Sequence, residues 1–137
     1  MAKGIDNKLD TAWSLLVKLV HGMKCEYCGK TTTLNSHHIY SRSKKSTRWS
    51  VENGSCLCVS HHTFNSGFSA HKTPLEFTEF IIEKRGQEWY ENLRAEANEV
   101  RKWFKFEKEE LLQILIGRIE CFELDEKNTE ILRKLKV

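Results

Sequence analysis

Leu9, Trp13, Leu16 and Val20 recur at steps of four, three and four, while Lys8, Ser14 and Lys18 fall on other faces. That period predicts an amphipathic helix over residues 5–22, with Asp6 as its candidate cap and Gly22 as its stop. From Lys24 to Phe68 the period vanishes and Ser, Thr, Gly, Cys and His take over. Two short strands are expected there, near Leu34–Ile39 and Ser55–Cys58, joined by a long loop and followed by a short helix from about Val59. Thr73-Pro74 signals a new helix, a capping hydroxyl followed by proline where no N–H is needed, and Gly86 ends it after Arg85. Trp89, Leu93, Ala97, Val100 and Phe104, at steps of four, four, three and four, predict the next helix. A last helical region carries Leu111, Leu115, Ile119 and Phe122, broadened by Leu112, Ile114 and Ile116, and continues or breaks before a final helix to Lys136. The expectation is an α+β domain: an N-terminal helix, a central β-β-α segment over residues 24–68, and a C-terminal helical cap over residues 74–137. Trp89, Trp103 and Phe104 are read as core, and any exposed remainder of the cap would offer a homodimer face.

At 137 residues and 39% hydrophobic content, one compact domain spanning residues 1–137 is the simplest organisation. There is no repeat, no low-complexity tract, and a single proline, so a flexible interdomain linker is not expected. No apolar run reaches bilayer length and the first nine residues lack an apolar signal core, so a cytoplasmic protein with reduced thiols is expected and no membrane partner. The net charge of +3 is unevenly placed: residues 1–75 hold ten Lys/Arg against four Asp/Glu, and residues 76–137 hold twelve against fifteen. The half with four of the five cysteines and all six histidines is therefore the basic half, which suits a polyanion.

Five cysteines, an odd number, fit metal ligation better than a closed set of disulfides. Cys25-Glu26-Tyr27-Cys28-Gly29 has the spacing of a zinc knuckle, with a glycine to let the chain turn around the metal. Cys58 and His61 repeat the i, i+3 spacing thirty-three residues later, so Cys25, Cys28, Cys58 and His61 are the expected ligands of a structural zinc ion. Cys56 rivals Cys58, since both face the same way on a strand, but the spacing to His61 favours Cys58. Cys121 is read as a small buried hydrophobe.

His37 and His38 would end the first strand, where successive side chains point to opposite faces and so can serve different purposes. One can bind a second cation while the other takes a proton from water. His62 can reach back from the short helix as another ligand. A further ligand is open among Asn65, Ser66, His71 and water, with His71 more simply a surface residue. His21, at a helix end, is expected to face the last carbonyls.

The set His37-His38-Ile39, Asn53 and His62, embedded between Cys25/Cys28 and Cys58/His61, resembles the HNH endonucleases, also called ββα-metal or His-Me finger nucleases. The resemblance implies that His37 and His62 ligate a catalytic divalent ion, Mg2+ or Mn2+ with Ni2+ or Zn2+ as alternatives. It further implies that His38 is the general base and that Asn53 pins the long loop to orient it. Family members usually place cysteine where this chain has His61; His61 and His62 could exchange roles, and the knuckle spacing assigns His61 to zinc. A looser similarity, over Arg48-Trp49 to Gly67, Glu79-Phe80-Ile81 and Gly86-Gln87-Glu88, is to the phage recombination nucleases called NinG or Rap, which implies action on branched DNA. Between the histidine pair and Asn53 lies the stretch Ser41 to Trp49, with Arg42, Lys44, Lys45 and Arg48 and no acid, suited to DNA phosphates, with Trp49 as its anchor. The rival expectation is a non-catalytic zinc module that binds nucleic acid or a partner through that loop.

Overall fold

The computed structural model describes residues 4–137. In chain order it contains α1 (Ile5–Val20), β1 (Leu34–His38), a 3-10 turn (Val51–Asn53), β2 (Gly54–Cys58), one π-helical turn (Ser60–Phe64), α2 (Pro74–Arg85), α3 (Gln87–Ala97), α4 (Lys105–Ile119) and α5 (Glu126–Leu135). The mixed α+β class is as expected, with a single antiparallel pair in which Leu34 faces Cys58 and His38 faces Gly54. No helix among the described residues is long and apolar enough to cross a membrane.

The main core forms where α1 is clasped between the hairpin and α4. Leu9, Trp13, Leu16 and Val17 of α1 meet Leu112, Leu115, Ile116 and Ile119 of α4, with Trp49 and Cys56 at the margin. Trp13 also donates its indole N–H to the Ser50 carbonyl at 2.7 Å, tying α1 to the long loop. The first residue of β2 lies flat on α1: a Cβ added at Gly54 would overlap Val17 and touch Trp13. A second, smaller core of Cys25, Leu57, Cys58, Ala70, Phe77 and Ile81 joins the knuckle to α2. Between the two cores sits Glu26, its side chain 2% exposed, whose carboxylate accepts hydrogen bonds from Arg85 and Ser55 at 2.7 Å each. Burial alone would raise the Glu26 carboxyl, but Arg85 outweighs it and holds it below the usual range.

Several expectations need correction. Gly4, not Asp6, occupies the cap position of α1, and Asp6 lies in its first turn, where a negative charge suits the helix dipole. Thr73 does precede α2, but its hydroxyl is used by Ser69 rather than by the helix. The third helix stops at Ala97; Val100 is fully exposed and Phe104 caps α4 with its ring in water. Cys121 lies past the end of α4 and is exposed, not buried. The His21 ring turns away from the α1 carbonyls toward Arg85, 3.2 Å away, and Glu26.

Candidate metal centre

The knuckle is built by a reversal at Gly29, whose φ of +79° is the left-handed conformation that glycine adopts without steric cost. Within that turn the Gly29 N–H bonds the Cys25 carbonyl, and the Glu26 N–H bonds the Cys56 carbonyl, so the knuckle is stitched to β2. Cys25, Cys28, Cys58 and His61 then present their ligand atoms within 4.8 Å of one another. The Cys28–Cys58 sulfurs are 3.8 Å apart, far too long for a disulfide, and His61 Nδ1 lies 3.2 Å from Cys58 Sγ and 3.9 Å from Cys25 Sγ. A tetrahedral zinc with its usual bond lengths would hold sulfur–sulfur edges of about 3.8 Å and sulfur–nitrogen edges of about 3.5 Å. The donors fit.

Their protonation points the same way. Burial would raise the Cys25 thiol, but the backbone N–H groups of Cys58, Cys28 and Tyr27 and the His61 ring hold it down at about 6. Cys28 is pushed up, by desolvation and by the sulfurs of Cys25 and Cys58, so its thiolate needs a cation beside it. Cys56, the rival, is sealed in the main core with its thiol pushed up to about 11 by burial. It is not part of the set.

A second cluster stands beside the first: His37, His62 and His71 bring one ring nitrogen each within 4.8 Å. The π-helical turn makes this possible, because it sends adjacent His61 and His62 to different centres. Where the sequence left a third position open, the fold brings His71 beside His37 and His62. Ala70 N–H bonds the His61 carbonyl and His71 N–H the His62 carbonyl, so the chain returns alongside the turn and sets ring against ring. His62 Nε2 and His71 Nε2 are 3.0 Å apart, the separation of two imidazole nitrogens at right angles about 2.1 Å from one ion. Asn65 and Ser66 are not in the cluster; the Asn65 carboxamide instead accepts the N–H groups of Gly67 and Phe68.

Burial, reinforced by the neighbouring His62 and His71 rings, drives His37 down to about 3, so it is neutral and has a lone pair to give. Phe77 closes one side of it, with ring centres 5.3 Å apart. The Asn35 amide nitrogen lies 3.2 Å from His62 Nδ1. A half-turn of that amide presents its oxygen to an Nδ1–H and leaves Nε2 free for a metal.

His38 faces the other way, onto α1, as strand alternation requires. Its ring stacks on Trp13 at 3.8 Å and 9°. Nε2 lies 2.9 Å from the Arg48 carbonyl, which can only accept, so Nε2 carries the proton and Nδ1 keeps the lone pair. Burial holds His38 below 6.5 against the opposing pull of that carbonyl and Asp10, leaving it neutral at neutral pH. Asn53, fully buried, accepts the Tyr40 N–H at 2.7 Å and donates to the carbonyls of Tyr40 and Thr47, fastening both ends of the loop that carries Arg48. His37, His38, His62 and His71 line one open cleft of about 430 Å³, with Ser41 and Arg42 at its rim.

Of the four loop cations, Arg48 is not free. Its guanidinium grips Asp10 through two hydrogen bonds of 3.1 and 2.8 Å, and Trp49 donates to the same carboxylate at 2.7 Å. Burial would raise Asp10, but these bonds and the charges of Arg48 and Arg42 hold it low. Arg48 therefore anchors the loop; Arg42, though exposed, also reaches the Asp10 carboxylate at 3.3 Å, and Lys44 and Lys45 are exposed with no ion pair among the described residues. Trp49 is the anchor the sequence suggested. The sequence placed Trp13 only on the apolar stripe of α1, and Asn35 and the Arg48 carbonyl belong to no spacing pattern, so none of the three was legible as part of the site.

No family model matches this chain, and no curated protein or solved structure matches it either.

Proposed function

We propose that this chain is a metal-dependent endonuclease of the HNH type, hydrolysing DNA phosphodiester bonds in the cleft above the hairpin. One observation carries the reading: three imidazoles able to share an ion and a fourth with a free, neutral nitrogen line the same cleft. His37, His62 and His71 would hold the ion, and Cys25, Cys28, Cys58 and His61 a structural zinc. The bound ion supplies Lewis acidity toward a phosphate oxygen and charge for the leaving oxygen. His38 Nδ1 accepts a proton from water as its oxygen bonds to phosphorus, and the bond from phosphorus to the 3′ oxygen breaks, that oxygen taking a proton from solvent water, which leaves a 5′-phosphate and a 3′-hydroxyl. The Arg48 carbonyl, hydrogen-bonded to Nε2–H, steadies the positive charge His38 gains. Trp13 and Asn53 act through position alone: one fixes the ring plane, the other fixes the loop whose carbonyl sets the tautomer. Arg42, Lys44 and Lys45 would meet phosphates along the strand. Histidine ligands favour manganese, nickel or zinc over magnesium in binding strength.

A zinc module without catalysis needs only the Cys3His centre and has no use for the three-histidine cluster. Supercoiled plasmid incubated with the zinc-loaded protein and added manganese should be nicked, and His38→Ala should slow nicking by about 10²–10⁴-fold while DNA affinity and zinc content stay unchanged. Wild-type protein that binds the plasmid and never cuts it under any divalent ion would leave the binding module as the better account.

A further inference from the structure

The end of the segment joining α3 to α4 and the first turn of α4 read Arg101-Lys102-Trp103-Phe104-Lys105-Phe106 and lie outside the residues that carry the HNH resemblance. Trp103 turns inward and docks on the basic loop. Its indole N–H donates to the Lys45 carbonyl at 2.9 Å, its ring meets Trp49 edge-on, and Arg101 lies 3.9 Å over its face. Phe104 and Phe106 turn outward, 53% and 67% exposed, with rings 6.2 Å apart and only 12° from parallel. Lys102 stands 5.7 Å above the Phe104 ring. Lys44, Lys45 and Lys102 have no ion pair among the described residues, whereas Arg101 is paired to Glu107.

Two exposed aromatic faces cost solvation unless something flat and apolar covers them. Lys102 stands over one of them and Lys45 belongs to the loop on which Trp103 docks, while Glu107 and Glu109 of the same turn are paired with Arg101 and Lys105. The unpaired charge beside the rings is therefore positive and favours a covering partner that is also polyanionic. Unpaired nucleotides offer both, a π-face for each ring and a phosphate for each ammonium. A duplex does not, because its base faces are already stacked on one another. A second copy of this chain is a poorer occupant, since two-fold pairing here would bring Lys102 and the loop lysines against their own copies.

We infer that the α3–α4 junction is a docking surface for single-stranded DNA, with Phe104 and Phe106 as base platforms and Lys44, Lys45 and Lys102 on the backbone. Lys45 is three residues from Arg48, whose carbonyl holds His38, so the platform and the cleft share one loop. This rests on the nuclease reading for the polymer being DNA, and it implies that a strand held on the platform is fed toward a cut nearby.

The test is fluorescence anisotropy with a labelled single-stranded oligonucleotide and its duplex, in a His38→Ala background to prevent cutting. Phe104→Ala/Phe106→Ala should weaken single-strand binding by at least about fivefold and change duplex binding less than about twofold. Lys102→Ala should lower the salt slope for the single strand by about 0.7. Both residues are exposed and the Phe104 backbone N–H still reaches Glu107, so melting should be unchanged. Equal binding by the double variant and the parent would overturn the inference and leave the nuclease reading intact. A concentration-dependent dimer that the double variant abolishes would also overturn it, assigning the face to self-association. Failure of the parent to bind any DNA would sink both.

Discussion

His61 and His62 are neighbours in the chain and belong to different centres. A π-helical turn separates their rings, one toward three sulfurs and the other toward His37 and His71. The i, i+3 spacing from Cys58 was enough to assign His61, because knuckle geometry is local. His71 was not legible in this way: it joins the cluster through two backbone hydrogen bonds that fold residues 70–71 back on residues 61–62, and no spacing rule encodes that return. Asn35 was equally hidden, since its only signal is to share the strand face of His37. Holding His62 in the ligating tautomer is its role in this account, so Asn35→Ala should weaken the second ion about 10–100-fold while leaving zinc bound. Calorimetric titration of manganese into the zinc-loaded variant reads this, and an unchanged affinity would remove Asn35 from the site.

At the scale of elements, the hairpin presents its histidines because β2 starts flush against α1. Glycine is required at position 54 by the close approach of Val17 and Trp13. Gly54→Ala should therefore cost about 1–3 kcal/mol or more, and denaturant unfolding should show it; a variant as stable as its parent would mean that the hairpin sits farther from α1. The strands and the start of α2 were legible because the loss of helical period after Lys24 and the Thr-Pro pair are local signals. The end of α3 was not. Its apolar steps run on through Val100 and Phe104, but the chain leaves the helix after Ala97 so that Trp103 can dock on Lys45, and a periodicity cannot report where its partner lies. Phe104 was misplaced for the same reason, and the surface it forms with Phe106 is visible only in three dimensions.

Across the whole molecule, two cores of unlike origin carry the fold. The α1–α4 core is apolar throughout, whereas the one joining the knuckle to α2 is drawn together by Cys25 and Cys58. Stripping zinc with a strong chelator should therefore unfold the parts unequally. Hydrogen exchange by mass spectrometry should show lost protection in the knuckle and hairpin and retained protection in α1 and α4; uniform loss would mean a single cooperative unit. The central claim is that one short turn feeds two metal centres. Crystals of the zinc-loaded protein soaked in manganese, with anomalous maps collected at each metal's edge, test it most directly. The account predicts zinc among Cys25, Cys28, Cys58 and His61 and manganese among His37, His62 and His71. Manganese bound elsewhere, or zinc held by His62 in place of His61, would contradict it.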